Sequence, residues 1–134
     1  MSMEHMNPET VSLTFPDPTA DETYIMWVAP QPCRVVNVRL SRFGGTVVGN
    51  TTSYVAITVY DGGPVGTGTF SIAARGGKST AWTDATLYSP TVTTRQLHKA
   101  DTVALKWDET GTQSINTLVA QIDVVYGSPA SASF

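Results

Sequence analysis

Few residues in this chain are of types that do chemistry, and their spacing decides what each could do. His5 lies among the first ten residues and His98 follows Leu97. Neither belongs to a His-x-His or Glu-x-x-His pair, the spacings that set metal ligands on one side of an element. Cys33 is the only cysteine, so it closes no internal disulfide. As a nucleophile it would need His5 or His98 beside it to take its proton. With Pro32 before it and an apolar run after it, it reads instead as a small, partly buried residue opening a strand. Asp108 and Glu109 are adjacent, so their side chains diverge rather than flank a scissile bond.

The stretch ITVYDGGPVGTGTFSI, Ile57 to Ile72, places four glycines and a proline between two alternating apolar runs. A phosphate cradle needs a strand, a glycine turn and then a helix N-terminus whose N–H groups converge on the anion. Here the glycines run into TFSI, which is patterned as a strand, and no Lys-Ser or Lys-Thr closes the loop. It reads as a hairpin connection in which Gly62 and Gly63 supply positive φ. Among aromatic residues that could stack on sugar rings, Trp107 shares parity with Val103 and Leu105 and belongs to a core. Trp82 has no such row, and is the candidate for a ligand or interface role. These readings add up to an expectation of no catalytic residues, no metal and no cofactor.

The elements that must position these residues are strands. Thr, at 20 residues, and Val dominate a sequence that is 41% hydrophobic and 14% charged, a bias toward side chains that fit a pleated, half-buried surface. A chain of 134 residues is the size of one domain with one core. VSLTF sets Val11, Leu13 and Phe15 on one side, the period of two expected of a strand with one buried face. CRVVNVRLSRF sets Val36, Val38 and Leu40 opposite Asn37, Arg39 and Ser41. YVAITVYDG directs Val55, Ile57 and Val59 inward, and GTFSIAA places Phe70 with Ile72. KADTVALKW does the same with Val103, Leu105 and Trp107, and LVAQIDVVYG with Leu118, Ala120, Ile122 and Val124. Eight or nine strands with turn residues between them, and no convincing helical period, predict an all-β antiparallel β-sandwich, a jelly roll of about eight strands. Residues 1–9 read as an N-terminal arm, 10–127 as the jelly-roll domain and 128–134 as a C-terminal tail.

Charge and hydropathy narrow the partners. A net charge of −3 with eight scattered Lys and Arg gives no stripe for phosphates, so no nucleic acid is expected. No apolar run approaches the ~20 residues that cross a bilayer, and MSMEHMNPET lacks the basic and apolar regions of a signal peptide. No membrane partner is expected either. A single cysteine suits a reducing compartment. Two segments show apolar residues on both parities. In TYIMWVAP, Ile25 and Trp27 oppose Tyr24, Met26 and Val28; in the last strand, Val119 and Val125 oppose Leu118 and Val124. An antiparallel sheet that faces water normally shows polar residues outside, so Ile25, Trp27, Val119 and Val125 are candidate subunit-interface residues.

Taken together, VVNVRLS, YVAITVYDGG, GTGTFSIAARGG, Trp82, LHKADTVALKW and LVAQIDVVYG resemble the jelly-roll decoration (cement) proteins on the heads of tailed bacteriophages, and related phage head-fibre domains. The resemblance covers about residues 33 to 127, and rests on strand and turn types rather than a catalytic signature. It implies a non-enzymatic homotrimer on the capsid surface of the virion, assembled in the host cytoplasm, that clamps neighbouring subunits of the major capsid protein. It also implies that the arm, with Met3, His5 and Met6, orders against the shell. Ala100-Asp101 stands where the resemblance leads one to expect Gly-Asp. The alternative on the same fold is a receptor- or glycan-binding module of a phage fibre, for which aromatic residues clustered around Trp82 would speak.

Overall fold

The computed structural model describes residues 8–16, 18, 22–45, 47, 49–65, 68–78, 82, 86–111, 113 and 115–127. Eight strands are formed: β1 (Glu9–Pro16), β2 (Glu22–Val28), β3 (Cys33–Phe43), β4 (Tyr54–Gly63), β5 (Phe70–Arg75), β6 (Gln96–Leu97), β7 (Thr102–Thr110) and β8 (Thr117–Tyr126). They make two four-stranded antiparallel sheets. The first has the order β1-β8-β3-β6 and the second β2-β7-β4-β5.

That order has a simple origin. The pairs β1/β8, β2/β7, β3/β6 and β4/β5 are the rungs of one long two-stranded ribbon folded at its middle. Successive rungs fall alternately into the two sheets, and rolling the ribbon up adds the contacts β3/β8 and β4/β7. This is the jelly roll, and the sequence expectation for the fold holds.

The core lies between the sheets. Val38, Leu40, Leu118, Ala120, Ile122 and Val124 of the first sheet face Val55, Ile57, Val59, Val103, Leu105 and Trp107 of the second, all buried. Each row comes from a period-two pattern, because successive side chains of a strand point to opposite faces. Among the described residues four bulges break that pattern, one of them at Gly62 of β4, between Asp61 and Gly63. In β3 the register shifts between Val35 and Asn37. Val35 is therefore buried and Val36 only half-buried, where plain alternation had put Val36 inside. In β2 the shift lies between Ile25 and Trp27; Met26 is buried on the side of Tyr24, and Trp27 beyond it is turned inward instead of outward. In β5 it lies opposite Val59/Tyr60, and Phe70 ends up exposed although Ile72 is buried. A bulge adds one residue to one strand, so every side chain beyond it changes face.

The expected arm loses one residue to the fold: Glu9 is the first residue of β1, opposite Val124. β6 is short for a local reason. Upstream of it, Tyr88 already bridges Leu40, exchanging both backbone hydrogen bonds at 2.8 Å. The next rung would join Val38 to Pro90, and proline has no N–H to donate. The ladder resumes at Gln96 opposite Arg34.

Candidate functional site

The outer face of the first sheet carries a polar hub. Asp123 of β8 stands opposite Thr10 of β1 and Asn37 of β3. Its carboxylate accepts hydrogen bonds from Thr10 Oγ1 at 2.7 Å, Asn37 Nδ2 at 3.1 Å, and Arg39 NH1 and NH2 at 2.8 and 2.7 Å. Arg39 Nε donates to Gln121 Oε1 at 3.2 Å. The Arg39 hydrogen bonds hold the Asp123 carboxyl well below the usual carboxylate range, against the opposing effect of its burial. All the donors point at a carboxylate that is nearly covered, so this arrangement ties β1, β8 and β3 together rather than exposing a reactive group. The sequence contained a signal for it: an Asp on the solvent parity of an otherwise apolar strand, with an Arg on the solvent parity of another.

Beside the hub, the gap between β3 and residues 89–94 leaves a surface pocket of about 390 Å³, lined by Asn37 and Arg39 on one side and Ser89, Thr91, Val92 and Thr94 on the other. Arg39 already spends its guanidinium on Asp123 and Gln121, and the rest of that polar lining is hydroxyl and amide. Nothing there pairs an acid with a base. Among the described residues, no group of three or more His, Cys, Asp or Glu is placed to hold a metal ion. No helix among them is long and apolar enough to cross a membrane.

The interface candidates from the sequence do not form one surface. Ile25 points outward from the second sheet and is 51% exposed, opposite Ala104. Trp27, expected on the same side, is turned inward by the bulge. It packs half-buried on the core with its ring 6.5 Å from Tyr126. Val119 and Val125 are half-buried on the outer face of the first sheet, with Gln121 and Asp123 between them. Met3, His5 and Met6 lie outside the described residues, as does the tail 128–134. The apolar side chains that are most exposed are others: Val65 at 77%, Phe43 at 62%, Leu87 and Val28. The register puts Phe43 and Leu87 at the same end of the first sheet as Val119, since Phe43 faces Thr117 and Leu40 faces Tyr88. Phe43 was legible in the sequence, as it shares the solvent parity of Arg39 and Ser41.

Trp82 corrects an expectation. It is 3% exposed and belongs to the core cluster, so it presents no face for a sugar to stack on. Its indole N–H donates to Thr86 O at 2.9 Å, and its own carbonyl accepts from Arg42 Nε at 2.7 Å. The Arg75 guanidinium lies over its ring at 4.9 Å and over Tyr88 at 5.3 Å. Burial pulls the Arg75 pKa down. A row of alternating residues could not have revealed this site, because Trp82 reaches the core from a connection and not from a strand.

The glycine stretch turns the chain. Gly63 has φ +68, whereas Gly62 is not at positive φ and occupies the bulge between Asp61 and Gly63. The loop is closed by Gly68 N–H on Gly62 O at 2.7 Å, and a Cβ on Gly68 would stand 2.9 Å from Asp61 O. At its base, buried Asp61 accepts from Gly63 N–H at 2.9 Å and from Arg95 Nε at 3.0 Å. The polar groups at the base of the loop, the Asp61 carboxylate, Gly62 O and the Gly63 and Gly68 N–H groups, are thus engaged within the chain. Cys33 is fully buried, and desolvation, with Asp101 and Glu9 adding, pushes its thiol up to about 11. His98 is exposed and starts a turn in which Asp101 N–H reaches His98 O at 3.0 Å and the Asp101 carboxylate caps His98 N–H at 2.9 Å. Ala100, third in that turn, has φ 75. The position where the resemblance called for Gly therefore keeps the backbone angle that favours glycine.

No protein-family model matches the chain, and no curated protein matches it. Among solved structures it is similar to a chain of Bacillus endospore appendages, described as a novel family of disulfide-linked pili, with TM-score 0.39 and 15% identity over 90% of this chain and 88% of that one. It is also similar to chains of infectious bursal disease virus. The Gx strain gives TM-score 0.39 and 12% identity over 90% of this chain, and the Gt strain TM-score 0.39 and 14% identity over 92%. The chain spans 30% and 34% of the length of those two viral chains.

Proposed function

We propose that this chain is a capsid decoration, or cement, protein of a tailed bacteriophage: a non-enzymatic jelly-roll subunit that binds the outer surface of an assembled head and stabilises contacts between major capsid subunits. The observation that carries the reading is the distribution of exposed apolar side chains. Phe43 and Leu87 project at one end of the first sheet, Ile25 and Val28 lie on the second, and Val65 is exposed in the β4–β5 connection. Several separate contact points suit a subunit that bridges neighbours, whereas a ligand site concentrates its groups in one concavity.

The mechanism is mass action. A protein that binds the assembled shell and not separated subunits stabilises the shell by about 2.7 kcal/mol per site when its free concentration is 100 times Kd. Three copies around a threefold or quasi-threefold position is the arrangement the resemblance implies. The test is to add the purified protein to undecorated heads and to dissociated major capsid protein, then follow binding by sedimentation and image the particles. Binding to heads alone, with a higher temperature of head disruption, is expected. Equal binding to dissociated subunits, or no binding to heads, overturns the reading.

A further inference from the structure

A sheet edge presents unpaired N–H and C=O groups to any passing strand, and native proteins close such edges with short strands, bulges or charges. Among the described residues, four strands lie at sheet edges: β1, β6, β2 and β5. Three of them are closed in one of those ways. β6 has two residues, and β2 and β5 are each broken by a bulge. β1 differs. It pairs with β8 in unbroken register over eight residues, and between Thr10 and Pro16 it carries no charge.

The direction of its backbone groups follows from the ladder. Leu40 gives its N–H and C=O to Tyr88, away from β8. In an antiparallel pair, opposed residues both point toward or both point away from each other, and the two states alternate along the strand. Ala120, opposite Leu40, therefore turns its backbone toward Leu13 of β1. Val11, Leu13 and Phe15 spend their groups on β8, while Thr10, Ser12 and Thr14 direct theirs out of the sheet. Pro8 and Pro16 have the same outward parity and donate nothing. The free edge is thus a window of three donors at Thr10, Ser12 and Thr14, bounded on both sides by proline.

We propose that β1 is a pairing edge through which two copies of this chain join antiparallel, with Ser12 opposite Ser12 of the second copy. The window then matches itself. Thr10 meets Thr14, and each of the three opposed pairs exchanges two backbone hydrogen bonds. Threonine and serine side chains pair favourably across strands on the outer face. On the inner face, Val11 of one copy meets Leu13 of the other. Val11, Leu13 and Phe15 pack on the core but are only half-buried, so a neighbouring strand covers apolar surface that one copy leaves open. No like charges are opposed within the window, and Glu9, just outside it, is engaged by the Tyr126 hydroxyl of its own chain. The contact is isologous and consumes both β1 edges. With the other edges closed, it ends at a dimer rather than a fibre. It leaves both outer faces free, and does not depend on the capsid reading.

The contact is small, so the expected association is reversible and in the micromolar range. Sedimentation of the full chain over a concentration series should show a dimer. Ser12→Pro costs no backbone hydrogen bond within the chain, only the exposed 3.3 Å bond that Ser12 Oγ accepts from Gln121 Nε2, and Ser12→Lys, which loses the same bond, opposes two like charges at the twofold axis. Both should weaken dimerisation at least tenfold with an unchanged far-UV spectrum, and Ser12→Lys keeps the test decisive if Ser12→Pro fails to fold. Register is read by cysteine crosslinking. Ser12→Cys should form a disulfide dimer on mild oxidation, since residues opposed at the axis lie about 5.5 Å apart. Thr14→Cys should not, because two copies of residue 14 are offset by four residues, about 13 Å. A wild-type chain that stays monomeric at several hundred micromolar overturns the proposal. So does an oligomer that keeps its affinity in both Ser12 variants, or equal crosslinking at positions 12 and 14.

Discussion

Replacing Asp123 with alanine removes the one acceptor that Thr10, Asn37 and Arg39 share, and the cost can be worked from the geometry. Four hydrogen bonds end on this carboxylate, two of them from the Arg39 guanidinium. Bonds to a charged group contribute about 1.5–3 kcal/mol each and do not add within one network. The Arg39 side chain is 28% exposed, so without Asp123 it recovers part of its hydration. Thr10 loses a partner at the exposed edge and rehydrates at small cost. The net loss expected for Asp123→Ala is about 2–3 kcal/mol, a fall in Tm of about 7–10 °C for a chain of this length. Asp123→Asn keeps the shape but offers one acceptor oxygen to two guanidinium donors, and should lose about half as much. Urea denaturation of the two variants and of Arg39→Met, alone and combined with Asp123→Ala, measures the coupling directly. The dependence on pH has a definite sign. The folded carboxyl is held below its unfolded value, so its stabilisation is fully present above about pH 4 and declines as the pH falls below that. The difference between wild type and Asp123→Asn should be constant from pH 7 to 5 and shrink between pH 4 and 2. A loss under about 0.5 kcal/mol for Asp123→Ala, or a difference from Asp123→Asn that does not change with pH, refutes the reasoning.

Other substitutions test the turns and the buried thiol. Ala100→Gly relieves a left-handed residue at a cost of about 1–2 kcal/mol and adds freedom to the unfolded chain, for a net gain of about 0.5–1 kcal/mol; a lower Tm would show that the turn is not at positive φ. Gly63→Val should cost about 1–3 kcal/mol and Gly63→Asn less, because space around Gly63 is open and the backbone angle alone is strained. Phosphate or nucleotide should leave both melts unchanged, and a rise in Tm with phosphate that Gly63→Val abolishes would make the loop a binding site. Cys33 should resist thiol reagents at pH 8 until the chain unfolds, and labelling within seconds in the native state would contradict its burial. Burial raises its folded pKa to about 11, above that of the unfolded thiol, so its contribution to stability is fully present below the unfolded value and is lost as the pH rises toward 11.

The strands of this protein are written locally. Val55, Ile57 and Val59, or Leu118, Ala120 and Ile122, declare their buried face because side-chain direction alternates with a period of two whatever the partner strand is. Composition and turn residues then lead to an all-β sandwich, and the spacing of His5, His98 and Cys33 offers no metal or nucleophile constellation. The bulges at Val36 and Met26 were not legible. An extra residue is accommodated only when two strands are laid side by side, and it alone decides that Val35 is inside and that Trp27 faces the core. Trp82 reaches the core from a connection, where no period applies. Asp123 became a hub only when Thr10 and Arg39, 113 and 84 residues away, were brought beside it. The free edge of β1 likewise belongs to the fold: which backbone groups of Thr10, Ser12 and Thr14 remain unpaired is set by β8 on one side and by the absence of a strand among the described residues on the other. Local chemistry determined which residues could be strands and which way they alternate; pairing between distant segments, where hydrogen bonds and packing are shared, decided their order, their register and the surfaces left for a partner.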